Sequence, residues 1–235
     1  EFRLDRRSRR DLGIWRKPLD RDGPARRSLP PIDPDARFGR TWSTEFLWSV
    51  GAPELAIQSC GEAACRTRVV HPETGMRSLV DEEDLGPTLG LADGRLVSYL
   101  ACRGLPCPII SIDISTGRRQ TLAPDAGPAV VIQTDDGPRL VHERGAARGV
   151  ILRSMRLDGT GSLDLGAVPP GLSLQMDSTR SGAGLDTRAG WVVLAPQGGL
   201  DLAHPHPGTP RTILRHVLDG RSAALRQLLD TQLAG

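Results

Sequence analysis

Short apolar runs separated by polar, glycine-containing turns fill the chain between Leu55 and Thr121, and they do so twice. LAIQSCGEAACRTRVVHPETGMRSL is followed by LVSYLACRGLPCPIISIDISTGRRQTL. Cys60 answers to Cys102, Cys65 to Cys107 and Gly75 to Gly117, each 42 residues on. Short apolar runs bounded by turn signals read as strands, and a repeat of about 40–45 residues made of such strands is the period of a propeller blade. The first copy resolves into strands at 45–49, 54–60, 65–70 and 76–80, the last two joined by PETG. Together they predict one four-stranded antiparallel meander.

The same pattern returns as PTLGLAD, RLVSYLAC, PIISIDI and RRQTL, then as PAVVIQ, RLVHER, VILRSMR and SLDL. Gly159 lies 42 residues after Gly117, so the phase is kept. A looser copy runs LSLQMD, GWVVLAP, a long loop and TILRHV; the match of VILRSMRLDG (150–159) to TILRHVLDG (212–220) sets its register. Beyond Gly220, Ser222 is placed to cap a short C-terminal helix carrying Leu225, Leu228, Leu229 and Leu233 at helical spacing. A fourth strand in the same place is the alternative. Upstream, IWRKPLDRDGPARRSL predicts two outer strands around an Asp22-Gly23 turn, with Pro30, Pro31 and Pro34 in the connection that follows.

The expected organisation is all-β: residues 1–40 as outer strands of an incomplete first blade and a connector, 41–220 as four successive blades, and 221–235 as a terminal strand or helix. On that count Glu1 is expected not to be the natural start, and the chain to be the C-terminal part of a six- to eight-bladed ring. A five-bladed ring closed by the N-terminal strands is the alternative, because an open sheet edge invites association.

FLWS, a short turn, ELAIQS, then VVHPETG and an arginine-containing strand resemble the repeat of TolB-type β-propellers. The resemblance covers roughly residues 12–220. Where that family uses Pro-Asp-Gly in the first turn, this chain has Val50-Gly51-Ala52-Pro53, and later repeats keep only Ala92-Asp93-Gly94 or Asp135-Asp136-Gly137. The resemblance implies a propeller that works outside the cytoplasm, as an interaction module or as the lid of a serine peptidase.

Composition narrows this picture little. A net charge of +2, with 25% charged residues, describes an ordinary soluble surface and gives no support for a nucleic-acid binder. Lys17 is the only lysine, so arginine carries nearly all the positive charge. Aromatics at 3% leave Leu, Val and Ile to fill the core. No apolar run approaches the roughly 18 residues of a membrane span. The acidic run Asp81-Glu82-Glu83-Asp84 reads as a solvated connector between one blade and the next.

Candidate chemistry is sparse. Each cysteine pair has the form C-x4-C across a predicted hairpin, which places Cys60 opposite Cys65 and Cys102 opposite Cys107, within disulfide reach. Two hairpin-clamping disulfides are the favoured reading, and they belong in an oxidising compartment. Free buried thiols and a four-cysteine zinc site are the alternatives. Asp201, His204 and His206 share one long loop and are the only set with metal-ligand density, against a plain polar loop stiffened by prolines. His71, His142 and His216 lie in or beside strands and read as partly buried spacers. Gly220-Arg221-Ser222-Ala223-Ala224 mimics a nucleophile elbow, but no histidine follows Ser222 in the sequence, so the resemblance is accidental.

No trio of acid, base and nucleophile emerges, and no cofactor or catalytic residue is assigned. The function expected is therefore a non-catalytic module that binds a protein or peptide, with the loop from Gly198 to Pro210 as a variable contact. The runners-up are a peptidase lid whose catalytic domain lies elsewhere, and a metal-assisted hydrolase or lactonase with its pocket in the central channel.

Overall fold

The computed structural model describes residues 2–4, 11–16, 24–29, 43–48, 54–60, 65–71, 80–82, 84–101, 104–175, 190–196 and 213–224. Every regular element among them is a strand. β1 (Phe2–Leu4), β2 (Asp11–Arg16) and β3 (Arg26–Leu29) form a three-stranded sheet, with Trp15 opposite Arg27. Four antiparallel meanders follow, hereafter blades 1 to 4. Blade 1 holds β4 (Ser43–Trp48), β5 (Leu55–Cys60), β6 (Cys65–Val70) and β7 (Val80–Glu82). Blade 2 holds β8 (Leu85–Ala92), β9 (Arg95–Leu100), β10 (Cys107–Asp113) and β11 (Arg119–Ala126). Blade 3 is β12 (Ala129–Thr134), β13 (Gly137–Ala146), β14 (Gly149–Arg156) and β15 (Leu163–Ala167). Blade 4 is β16 (Leu172–Leu174), β17 (Trp191–Pro196), β18 (Ile213–His216) and β19 (Ser222–Ala224).

Two expectations need correction. Ser222 does not cap a helix: Ser222–Ala224 is a strand paired to β18, with Ala223 opposite Leu214. Satisfying the open edge of β18 outweighs the local helical spacing, and residues 225–235 lie outside the described residues. The acidic run is not wholly a connector either. Asp81 and Glu82 belong to β7, opposite Arg68 and Thr67. Asp84 is tied to Arg119 at 2.9 and 3.0 Å.

The second strand of a blade shows why this is a stack of sheets. Leu96, Val97, Ser98 and Tyr99 are all buried. Alternate strand residues point to opposite faces, so both faces of β9 are covered. Val97, Tyr99 and Ile109 of blade 2 pack with Ala129, Leu140 and Met155 of blade 3. Val130, Val141 and Leu152 of blade 3 pack with Leu172, Val192 and Leu194 of blade 4. Leu, Val and Ile dominate these layers, as the low aromatic content requires. The first strands approach closely: a Cβ on Gly90 of β8 would meet Val131 Cβ of β12 at 2.7 Å.

One polar position ties each blade to the next. Aligning LAIQ, LVSY, LVHE and VVLA of β5, β9, β13 and β17 puts Gln58, Tyr99, Glu143 and Ala195 in register. Gln58 Nε2 donates to the Gly86 carbonyl at 2.6 Å, and Thr88 N–H donates to Gln58 Oε1 at 3.2 Å. Tyr99 Oη donates to the Gly127 carbonyl at 2.7 Å. Glu143 Oε1 accepts from Ser173 Oγ at 3.0 Å and from Leu174 N–H at 2.5 Å. Burial, and after it the charge of Glu143, pushes the Tyr99 phenol well above its ordinary range, so it stays a donor.

Candidate functional site

In an antiparallel meander the turns between first and second strands, and between third and fourth, fall at one end of the blade. Backbone bonds knit the two turns together: Ile114 N–H to the Gly94 carbonyl in blade 2 and Val217 N–H to the Gly190 carbonyl in blade 4, both at 2.9 Å. Aspartates stiffen the third-to-fourth turns. Asp113 Oδ1 accepts from Ser115 Oγ at 2.6 Å and from Thr116 N–H at 3.0 Å, which holds its carboxyl down at about 2. Asp158 Oδ1 accepts from Thr160 Oγ1 and N–H at 2.7 and 2.9 Å, and those bonds lower its pKa. In blade 4, Asp219 takes the Arg221 N–H at 3.0 Å and sits 2.9 Å from His216 Nδ1.

On this regular frame one pair of positions changes chemistry from blade to blade: the start of the second strand and the end of the third. Glu54 and His71 flank the Leu55–Val70 pair in blade 1. Blade 2 places Arg95 opposite Asp113, blade 3 Arg139 opposite Arg156, and blade 4 Trp191 opposite His216. The Trp191 and His216 ring centroids are 4.9 Å apart. His71 and His216 are half-buried at these positions, as expected for residues in or beside strands. Only His142 among the three strand histidines is deep in the stack, 1% exposed.

Between blades 2 and 3 the rim opens into a cleft of about 370 Å³ lined by Asp93, Arg95, Asp136, Pro138, Arg156, Leu157 and Asp158. Arg156 on its blade 3 side, and the buried Arg139 paired opposite Arg156, are held firmly. Arg156 Nη2 binds both oxygens of Asp136, at 3.1 and 3.0 Å. That bond and the opposing charge lower the Asp136 carboxyl and raise Arg156. Arg139 Nε donates to Ser154 Oγ at 2.7 Å, its Nη2 to the Gly161 carbonyl at 2.5 Å, and its Nη1 lies 3.5 Å from Asp136. Burial lowers the Arg139 pKa, and Asp136 opposes that shift. Asp136 therefore offsets the repulsion of two facing arginines.

Arg95 is held loosely by comparison, 3.5 Å from Ser111 Oγ and 4.0 Å from Asp113 Oδ2. Asp93 stands on the turn at φ 50°, a conformation aspartate tolerates, with its carboxylate at the cleft wall. The cleft thus offers fixed charge on the blade 3 side and adjustable groups on the blade 2 side. Such an arrangement can orient a polar segment laid across the blade boundary.

At the opposite end of the blades, Cys60 is the direct partner of Cys65. Cys107 is buried and not a free thiol, its Sγ 3.0 Å from the Gly104 carbonyl oxygen. Cys102 lies outside the described residues, as do Asp201, His204, His206 and the whole Gly198–Pro210 loop. Among the described residues no group of three or more His, Cys, Asp or Glu is placed to hold a metal ion. No described helix is long and apolar enough to cross a membrane. The cleft escaped sequence reasoning because its residues are scattered through three turns. The aligned RLV starts at Arg95 and Arg139 and the aligned LDG turns were the signal that could have placed them on one rim.

No family model matches the sequence, and no curated protein matches it either. Solved structures do. An oligogalacturonate lyase in complex with manganese superposes with a TM-score of 0.53 at 10% identity, covering 86% of this chain and 56% of that one. Oligopeptidase B from Trypanosoma brucei gives 0.55 at 14% identity, over 92% of this chain and 31% of that one. TolB from Acinetobacter baumannii gives 0.48 at 14% identity, over 77% and 42%. The chain therefore spans between about a third and somewhat over half of these proteins. The fold is a β-propeller of four-stranded blades, the one the TolB-type repeat implies.

Proposed function

We propose that this chain is a non-catalytic propeller module that binds a protein or peptide segment across the rim, at the cleft between blades 2 and 3. The observation that supports the reading is the cleft itself. Its blade 3 arginine, Arg156, is fixed by Asp136, while Arg95 and Asp93 of the facing blade remain available for a ligand. Propellers bind through such surfaces because every blade delivers short turns to one shared face, and the rim series here varies its chemistry on an unvarying backbone.

The module works outside the cytoplasm, with Cys60–Cys65 and Cys102–Cys107 links clamping two hairpins. The direct opposition of Cys60 and Cys65 supports the first link, and the buried, non-free Cys107 supports the second. The test is affinity capture from the extracytoplasmic fraction of the source, with the wild-type chain and with an Asp93→Lys, Arg95→Glu double variant. A defined partner recovered by the first and lost with the second supports the proposal. Turnover in a screen of ester, lactone and peptide substrates, with and without divalent metals, that falls on changing Asp136 or Asp158 would overturn it.

A further inference from the structure

The second hairpin of blade 3 is longer than its counterparts. β13 and β14 stay paired as far as Ala146 opposite Gly149, whereas the neighbouring strands stop earlier. On one side the last bonds from the body are Glu143 N–H to the Pro128 carbonyl and Gly127 N–H to the Glu143 carbonyl. On the other the last is Val168 N–H to the Val150 carbonyl. Residues 144–150 therefore project as a two-stranded arm, and every one of them is exposed.

Three features of the arm point to a ligand. Arg144 and Arg148 have no hydrogen-bond or ion-pair partner among the described residues, in contrast to the pinned Arg139 and Arg156. Gly145, Ala146, Ala147 and Gly149 leave the ribbon without bulk, and a Cβ on Gly145 would meet nothing within 4 Å. The backbone edge is also open. Since Glu143 turns its N–H and C=O outward, away from β14, Gly145 two residues on does the same, and among the described residues no strand pairs with it on that side. Val150, 38% exposed, adds a small apolar contact.

We propose that this arm is a docking edge for an extended acidic segment of a partner protein, which adds as a strand along β13 with carboxylates on Arg144 and Arg148. Main-chain bonds to an open edge supply affinity and the alternating side chains supply selection. The arm lies at the end of the blade opposite the cleft, so this site stands or falls independently of it.

Fluorescence anisotropy of the full chain with a labelled alternating Glu-Val octapeptide tests the proposal, with a Lys-Val octapeptide as the control. The Glu-Val probe should bind in preference, and more weakly as salt rises. The Arg144→Glu, Arg148→Glu double variant should weaken it by about tenfold or more. Gly145→Pro, which removes the outward donor at an edge that tolerates proline, should weaken it comparably. Unchanged melting of both variants confirms that they remain folded. Equal binding of the two peptides, no binding of the acidic one, or indifference to the double variant would overturn the proposal. Indifference to Gly145→Pro would overturn strand addition.

Discussion

Two buried residues of β13 illustrate how polar groups are tolerated inside the blade stack. Glu143 is accepted because Ser173 and Leu174 of the next blade donate to it. Glu143→Ala should cost about 2–3 kcal/mol in urea unfolding, since it strands a buried backbone donor. Glu143→Gln keeps an acceptor and should recover part of the loss. His142 is less well served: Nδ1 sits 3.1 Å from the Glu143 carbonyl oxygen, while Nε2 has no partner. Burial lowers its pKa below the ordinary 6.5, and Arg153 and Arg144 add to that; only the bond to Glu143 opposes it. The unfolded chain therefore takes up this proton first. Stability from His142 is fully present above about pH 6.5 and declines as the pH falls below it. Melting followed from pH 7.5 to 5 should show that decline in the wild type, and less of it in His142→Phe.

At the scale of elements, the strands were legible where turn chemistry and apolar runs agreed. PETG-like and LDG-like turns, RLV starts and the cysteine hairpin put β5, β6 and β8 to β14 within a few residues of their places. The end of the chain was not legible in the same way, because Leu225 to Leu233 carry helical spacing while the strand at Ser222–Ala224 is imposed by the edge of β18. Contacts between blades were also hidden: nothing local marks Gly90 as the point where β8 meets Val131. Gly90→Ala must push Val131 aside and should destabilise by about 1–3 kcal/mol, with no change in turn-face binding. The hairpin cysteines give a separate check. Non-reducing peptide mapping should return 60–65 and 102–107 links and no pairing between blades. Reduction should cost roughly 2 kcal/mol per link. Four alkylatable thiols in protein from an oxidising compartment would return the zinc reading to consideration.

At the scale of the molecule, periodicity explains both what the sequence revealed and what it concealed. A 42-residue repeat exposes a propeller because every blade must satisfy the same sheet and the same neighbours. The repeat breaks its own pattern at one place: Arg95 with Asp113, Arg139 with Arg156, and Trp191 with His216 occupy one structural position with three chemistries. A repeat search discards such differences as noise. The cleft between blades 2 and 3 takes Arg95 and Arg156 from this series, and the central claim is that a partner lies there. A photo-crosslinking residue placed at Asp135, on the exposed turn beside the cleft, tests this directly against the same residue at Asp125 on the outer strand β11. In the extracytoplasmic fraction, position 135 should yield one discrete crosslinked protein and position 125 none. No adduct at 135, or the same adducts from both positions, would contradict the account.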